Sequence, residues 1–204
     1  MLDPSVFSFA NWLALQLAPT LLGSKNGTLL SLQDIPGQPL LSEWRQNGTA
    51  LLASGVIAYL PLKSLPGRET VLFYRPDRLQ RLFRQPRTRE FLARRGYPVH
   101  QDLSAMLRYL QQRFQRCCPH EIGLFLGIPL KDVIGFIESR CPLEDCATPW
   151  KVFGCQETSL RLWRRFISDQ NQIEQLLSYG HCPKSILCSD CPYLPPAQRF
   201  ARTS

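Results

Sequence analysis

No apolar run in this chain approaches the roughly 18 to 20 residues that a membrane-spanning helix needs. The first 24 positions carry no lysine or arginine, hold Asp3 as their one charge, and interrupt their apolar stretch with Asn11 and Gln16. That pattern does not fit a secretory signal. A soluble, cytoplasmic protein with no membrane partner is therefore expected. No Ser-His-Asp set, phosphate-cradling glycine loop or paired-carboxylate motif is present, so no sequence feature argues for an enzyme. Cysteine is too sparse for a disulfide scaffold: eight in 204 residues, against the roughly 8–10% that marks one. In a reducing cytosol their clustering points to metal or redox chemistry instead.

With 204 residues, 44% hydrophobic and 20% charged, the chain is long enough for one well-buried core and short for two. Its formal charge of +8 is uneven. Residues 71–100 hold eight arginines against Asp77 and Glu90, a net +6, while lysine is absent from 64 to 130. A focused basic segment attracts nucleic acid, a phosphorylated cofactor or an acidic protein, and charge alone does not choose among them.

The apolar spacing predicts a helix over 5–22, and the breakers Gly23, Asn26, Gly27 and Asp34-Ile-Pro-Gly37 predict a loop region after it. Leu40–Leu52 suits a short helix. Val56–Leu62 and Thr70–Tyr74, flanking Lys63-Ser-Leu-Pro-Gly67, suit a β-hairpin. Pro76 opens a helix that Pro86 ends, and Asp102 caps an amphipathic helix carrying Leu103, Met106, Leu107, Leu110 and Phe114. Two short helices meet at Leu126-Gly127-Ile128-Pro129. A short strand is expected at Lys151–Phe153 and a long helix from Glu157 to Tyr179, with Gly180 as its C-cap. The expected fold is α+β: a small antiparallel sheet or hairpin packed with a mostly helical C-terminal half. One globular domain, 1–180, would precede an irregular Cys/Pro-rich tail, 181–204.

Four groups of residues could carry function. In the tail, His181, Cys182, Cys188 and Cys191 place four soft ligands within eleven residues, enough for zinc or an iron-sulfur cluster. The same segment also reads as a tail with reduced thiols, or as a redox pair at Cys188 and Cys191. A second group, Cys117, Cys118, Cys141, Cys146 and Cys155, suits core filling. Arg75, Arg78, Arg81, Arg84 and Arg87 recur every three residues, so they wrap around a helix rather than line one face. They read either as a solvated surface or as a docking site for an acidic partner. His120 and Glu121 follow Pro119 at a helix start, where Glu121 suits the macrodipole and where the pair could also serve a metal-assisted enzyme given a third ligand.

The stretch PHEIGLFLGIPLKDVIGFIE (Pro119–Glu138), read beside LAPTLLGSK (Leu17–Lys25), VLFYRPDRL (Val71–Leu79), RRGYP (Arg94–Pro98) and WKVFG (Trp150–Gly154), resembles a family of uncharacterised proteins from anaerobic clostridia and their relatives. The likeness spans most of residues 15–170 and rests above all on His120, Glu121, Gly123, Gly127, Pro129 and Gly135. It implies no activity. It does imply an accessory role in anaerobic metabolism, beside flavodoxins and ferrous iron transport, with an acidic flavodoxin as a partner for the arginines. It also implies an acidic helix-capping residue where this chain has Cys155. The alternative is a nucleic-acid-binding regulator that uses the basic segment 75–95 and the pair 119–139. Ile122, Gly127 and Val133 have helix-turn-helix spacing there, although Leu130, Asp132, Ile134, Gly135 and Glu138 suit neither base edges nor phosphates.

Overall fold

A computed structural model describes residues 8–53, 55–138, 147–188 and 194. Helix α1 (Phe9–Leu21) leads into strand β1 (Gly27–Ile35), the short β2 (Gln38–Pro39), and a helical stretch made of α2 (Leu40–Glu43), a π-turn (Trp44–Gly48) and α3 (Thr49–Leu52). Strands β3 (Ala58–Leu65) and β4 (Arg68–Tyr74) form the expected hairpin, followed by α4 (Pro76–Arg84), α5 (Pro86–Ala93) and α6 (Leu103–Arg116). Then come α7 (Ile122–Phe125), α8 (Leu130–Ile137), the long α9 (Gln156–Ser178) and α10 (Pro183–Leu187). The α+β class holds, with an antiparallel sheet in the order β2-β1-β4-β3.

Alternation along β4 explains the layering. Val71 and Phe73 face one helical layer with Leu30 and Leu32 of β1, beneath α1, α2, α9 and α10. Leu72 faces the opposite layer with Leu62, beneath α4 to α8. Successive strand residues point to opposite faces, so Val71-Leu72-Phe73 is apolar throughout because both faces of the sheet are covered. The Trp44 indole sits edge-on to Tyr59 and Phe73, each at 5.0 Å. A Cβ on Gly48 would lie 2.0 Å from that ring, so the π-turn and its glycine make room for the anchor of this layer. On the other side, Gln111 and Gln115 of α6 donate to the carbonyls of Pro61 and Leu62, each at 2.6 Å. They satisfy the bulged part of edge strand β3.

Two sequence expectations are corrected. Residues 27–35 are not loop but the inner strand β1, paired with β4 along its length. A Cβ on Gly27 would sit 2.8 Å from the Phe73 carbonyl and 2.9 Å from that of Phe125. This glycine therefore marks close backbone approach inside a strand rather than a break. Lys151–Phe153 is not a strand. Val152 and Phe153 are buried, but the Phe153 N–H donates to the Asp132 carboxylate at 2.9 Å instead of to a neighbouring strand.

Past Gly180 the chain returns to the core. Ile186, Leu187 and Leu194 are buried among the residues of α1 and α9, and a Cβ on Gly55 would lie 2.6 Å from the Leu187 carbonyl. Cys155 stands at the N-cap of α9 without a side-chain cap hydrogen bond.

Candidate functional site

The five spaced arginines divide between two tasks. Arg75 is buried at 6% exposure. Its guanidinium grips Asp77 with two hydrogen bonds, at 3.0 and 3.3 Å, and donates to the Leu21 carbonyl at the end of α1 at 3.2 Å. Such a forked, partnered arginine is a fastening, and it is closed to a partner molecule. Arg78 is half-buried against Gly23, whose Cβ position would fall 3.1 Å from both guanidinium groups. Arg81 is exposed but bonded to Asp77. The Asp77 carboxyl loses some solvation to burial, yet Arg75 and Arg81 hold it below its ordinary range. Arg84 and Arg87 are exposed, and among the described residues neither has a carboxylate within ion-pair distance.

Arg84 borders a groove that the sequence did not reveal. Two depressions of about 280 and 390 Å³ share Arg84, Arg89, Val99 and His100 in their walls. The kink at Gln85, extended between α4 and α5, sets these helices at an angle. The turn after Gly96 (φ +81°) brings Val99 and His100 back across α5. Arg89 donates to the Val99 carbonyl at 3.2 Å and lies 3.4 Å from His100 Nδ1. The nearby carboxylates are engaged: Asp102 accepts from the Ala105 N–H at 2.8 Å, and Glu90 pairs with Arg94. The groove thus holds Arg84 and Arg89 beside two carboxylates, of which Glu90 is paired with Arg94 and Asp102 caps α6, and neither lies within ion-pair distance of Arg84 or Arg89 among the described residues. No sequence signal beyond the arginine run pointed to Arg89 and His100, because their meeting depends on the turn at 96–99.

The family-signature residues build the frame. Glu121 is 2% exposed and takes the Tyr97 hydroxyl at 3.1 Å and Arg113 at 2.5 Å. It is a buried counter-ion. His120 is exposed and stands edge-on to Phe136 at 5.0 Å. Gly127 (φ +90°) lets α7 turn into α8 where a Cβ would press on the Asn26 N–H at 3.1 Å, and Asn26 in turn donates to the Leu124 carbonyl. Pro129 is the N-cap of α8. Gly123 and Gly135 leave room for Val133 and for the Phe153 ring, whose atoms would lie 2.9 and 2.3 Å from an added Cβ. Helix α7 is only four residues long, and α8 turns Asp132 and Gly135 inward.

Asp132 itself, 1% exposed, is the hub of this frame. One oxygen accepts from Lys131 Nζ at 2.6 Å and the Phe153 N–H at 2.9 Å; the other accepts from Trp150 Nε1 at 3.0 Å and Ser159 at 2.6 Å. Every lone-pair position of the carboxylate is used.

The tail ligands are partly described. Cys182 and Cys188 cap opposite ends of α10, six residues apart and so about 9 Å along the helix. Backbone N–H groups of Ser185 and Lys184 hold the exposed Cys182 thiol below its ordinary pKa. Cys188 is buried and its thiol reaches the Leu51 carbonyl at 3.5 Å. Cys191 lies outside the described residues, as do Cys141 and Cys146, and His181 is engaged in a contact of its own. Among the described residues no three His, Cys, Asp or Glu side chains come together as a metal site. Cys117, Cys118 and Cys155 are exposed, so core filling does not explain them.

One ionisable group went unnoticed in the sequence. Lys25 is partly buried with its ammonium 5.8 Å from the Phe166 ring centre, and burial pushes its pKa down to about 8. Nearby, Asp169 has a buried oxygen without a hydrogen-bond partner. Burial raises its carboxyl pKa despite Ser24 and the charges of Arg78 and Arg165. Since folding lowers the Lys25 pKa, the unfolded chain binds more protons between pH 8 and about 10.5, and stability rises with pH across that window. The cost is fully present below pH 8. Lys25→Met should therefore stabilise the protein at pH 7 by about 1–3 kcal/mol, after allowance for partial exposure. It should also flatten the rise between pH 8 and 10 in denaturant unfolding. Identical pH profiles for the two proteins would refute this.

An α+β domain with a sheet covered on both faces, a glycine-jointed helix pair and a basic groove is the class of protein that the fold defines. By sequence the chain belongs to a family described as "Protein of unknown function (DUF3793)", whose model matches residues 13–187. No curated protein and no solved structure matches the chain.

Proposed function

We propose that this is a non-catalytic accessory protein that docks an acidic protein partner against the arginine groove of α4 and α5. The observation that supports it is the gathering of Arg84, Arg89 and His100 in one groove, with the exposed Arg87 on the same helix pair, where among the described residues neither Arg84 nor Arg87 has a carboxylate within ion-pair distance. Complementary charge at such a rim speeds encounter and fixes orientation. The partner suggested by the family resemblance is flavodoxin, in the setting of anaerobic redox metabolism. The docking arginines are those facing outward: Arg84 and Arg87, with Arg89 in the groove wall, rather than Arg75 and Arg78, which serve the fold.

Reversing two exposed charges, Arg84→Glu with Arg87→Glu, should weaken flavodoxin binding about tenfold or more at low ionic strength. It should also flatten the salt dependence of what binding is left. Titration calorimetry at two salt concentrations reads both. Unchanged affinity would dispose of the proposal. Salt-dependent retention on DNA, lost in the same variant while flavodoxin is ignored by both proteins, would replace it with the nucleic-acid reading.

A further inference from the structure

The signature segment and the Trp150 loop enclose an open depression of about 340 Å³. Its walls are mainly apolar, from Ile122, Ile128 and Val133, with Phe136, His120 and Trp150 contributing rings. Phe136 is 46% exposed, one of few large apolar side chains so placed among the described residues. The His120 ring stands at 79° to it. The Trp150 indole cannot swing freely, because its N–H is held by Asp132 at 3.0 Å.

The charge state of the cavity narrows what it can hold. Asp132 reaches its lining, but all four acceptor positions of that carboxylate are filled from within the protein. A ligand cation would find no free counter-ion there. Lys131, behind the wall, is committed to Asp132, the Phe153 carbonyl and Ser159, within 2.8 Å of each, and Lys151 at the rim is exposed, so an anion would meet there only a charge screened by solvent. At the edge, partial desolvation of the Cys118 sulfur raises its pKa and disfavours the thiolate. His120 offers a ring nitrogen for a single hydrogen bond. The cavity is also preformed: Gly123 and Gly135 permit the tight packing of Val133 and Phe153 behind it, and the Asp132 hub fixes the Trp150 wall.

We infer that this depression is a binding site for a planar, uncharged aromatic compound of about two or three fused rings, with its face or edge against Phe136 and Trp150 and a polar substituent towards His120. Ring-lined apolar cavities of a few hundred Å³ with one or two polar groups are the usual form of small-molecule sites. Aromatic walls favour ring partners in stacked or edge-to-face geometry. The site is separate from the arginine groove, and its existence does not depend on an acidic partner.

The probe is 2-naphthol, which is uncharged at neutral pH, fluorescent, and carries one hydroxyl. The full-length protein should bind it saturably with a Kd on the order of 100 μM, with shifts in the His120 ring resonances in an NMR titration. Phe136→Ala should weaken binding at least tenfold while leaving the thermal midpoint near that of the parent, because this side chain lies outside the core. Arg84→Glu should leave binding unchanged. Failure to saturate up to millimolar probe, or equal affinity in the Phe136→Ala protein, would overturn the assignment. So would sedimentation showing a dimer that Phe136→Ala dissociates while the probe stays unbound, which would make this face a contact between two copies of the chain.

Discussion

Asp132→Ala should be among the most destabilising single substitutions in this protein, lowering unfolding free energy by about 3–5 kcal/mol, the usual cost of breaking a buried charged pair. The change strands three donors at once, Trp150 Nε1, the Phe153 N–H and the Ser159 hydroxyl, and removes the counter-ion of Lys131 Nζ, which keeps only the Phe153 carbonyl and Ser159. Each would lie in a region where an unsatisfied polar group is costly. Asp132→Asn should be nearly as damaging, although it keeps the shape. Both carboxylate oxygens face two donors apiece, so either orientation of the amide directs its NH₂ at two other donors. Lys131→Met should cost less, about 1–2 kcal/mol, because the carboxylate keeps three neutral donors. In a domain of this size, 3–5 kcal/mol corresponds to a fall in thermal midpoint of roughly 10 °C, and guanidinium unfolding gives the free energies directly. Hydrogen exchange should locate the loss at residues 150–159, which the hub ties to α8. A loss below 1 kcal/mol for Asp132→Ala would show that these contacts do not hold the segment.

That hub shows where sequence reasoning reached and where it stopped. The helix pair around Leu126-Gly127-Ile128-Pro129 was legible because apolar spacing and a Gly-x-Pro joint are local signals. The same holds for the hairpin and for α6 and α9, whose bounds in the structure differ from the expected ones by a few residues. Asp132 read as a polar surface position because its partners lie 18, 21 and 27 residues further along the chain. A lone Lys-Asp pair inside a long apolar stretch was the available hint, since a buried charge persists only with partners. Strand β1 was missed for a related reason. Gly27 and Pro36-Gly37 look like breakers, yet Gly27 answers to the Phe73 and Phe125 carbonyls, neighbours that exist only in the folded sheet. The five arginines do not wrap one helix but run from the N-cap of α4 through α4 to the first turn of α5, and which members turn inward was decided elsewhere, by the end of α1 at Leu21 and by Gly23. Three of the family motifs meet at that spot: Asn26 follows the first, accepts the Arg75 N–H at 2.9 Å, and donates to Leu124 of the signature at 3.1 Å. The shared wording of this family is in large part the wording of a joint.

Glu121→Ala should cost about 2–3 kcal/mol, somewhat less than loss of Asp132, because its cationic partner Arg113 retains 37% side-chain exposure and can recover water. Tyr97 makes the effect visible in a second measurement. Burial raises the pKa of its phenol, and the negative charge and hydrogen bond of Glu121 raise it further. A folded pKa above the unfolded value stabilises the protein in full below about pH 10, and that contribution is lost as the pH climbs beyond it. Glu121→Gln keeps an acceptor for the Tyr97 hydroxyl but removes the charge, so Tyr97 should ionise at a lower pH than in the parent. An ultraviolet difference titration of phenolate formation, with Tyr97→Phe to assign the signal, would detect this in the folded protein. At neutral pH Glu121→Gln should cost less than Glu121→Ala, since one hydrogen bond survives, while the Arg113 guanidinium loses its counter-ion in both. If phenolate formation in Glu121→Gln coincides with that of the parent, the carboxylate does not act on Tyr97. The tie between α7 and α6 would then run through the Glu121–Arg113 pair and the packing of Ile122, Leu124 and Phe125, without Tyr97.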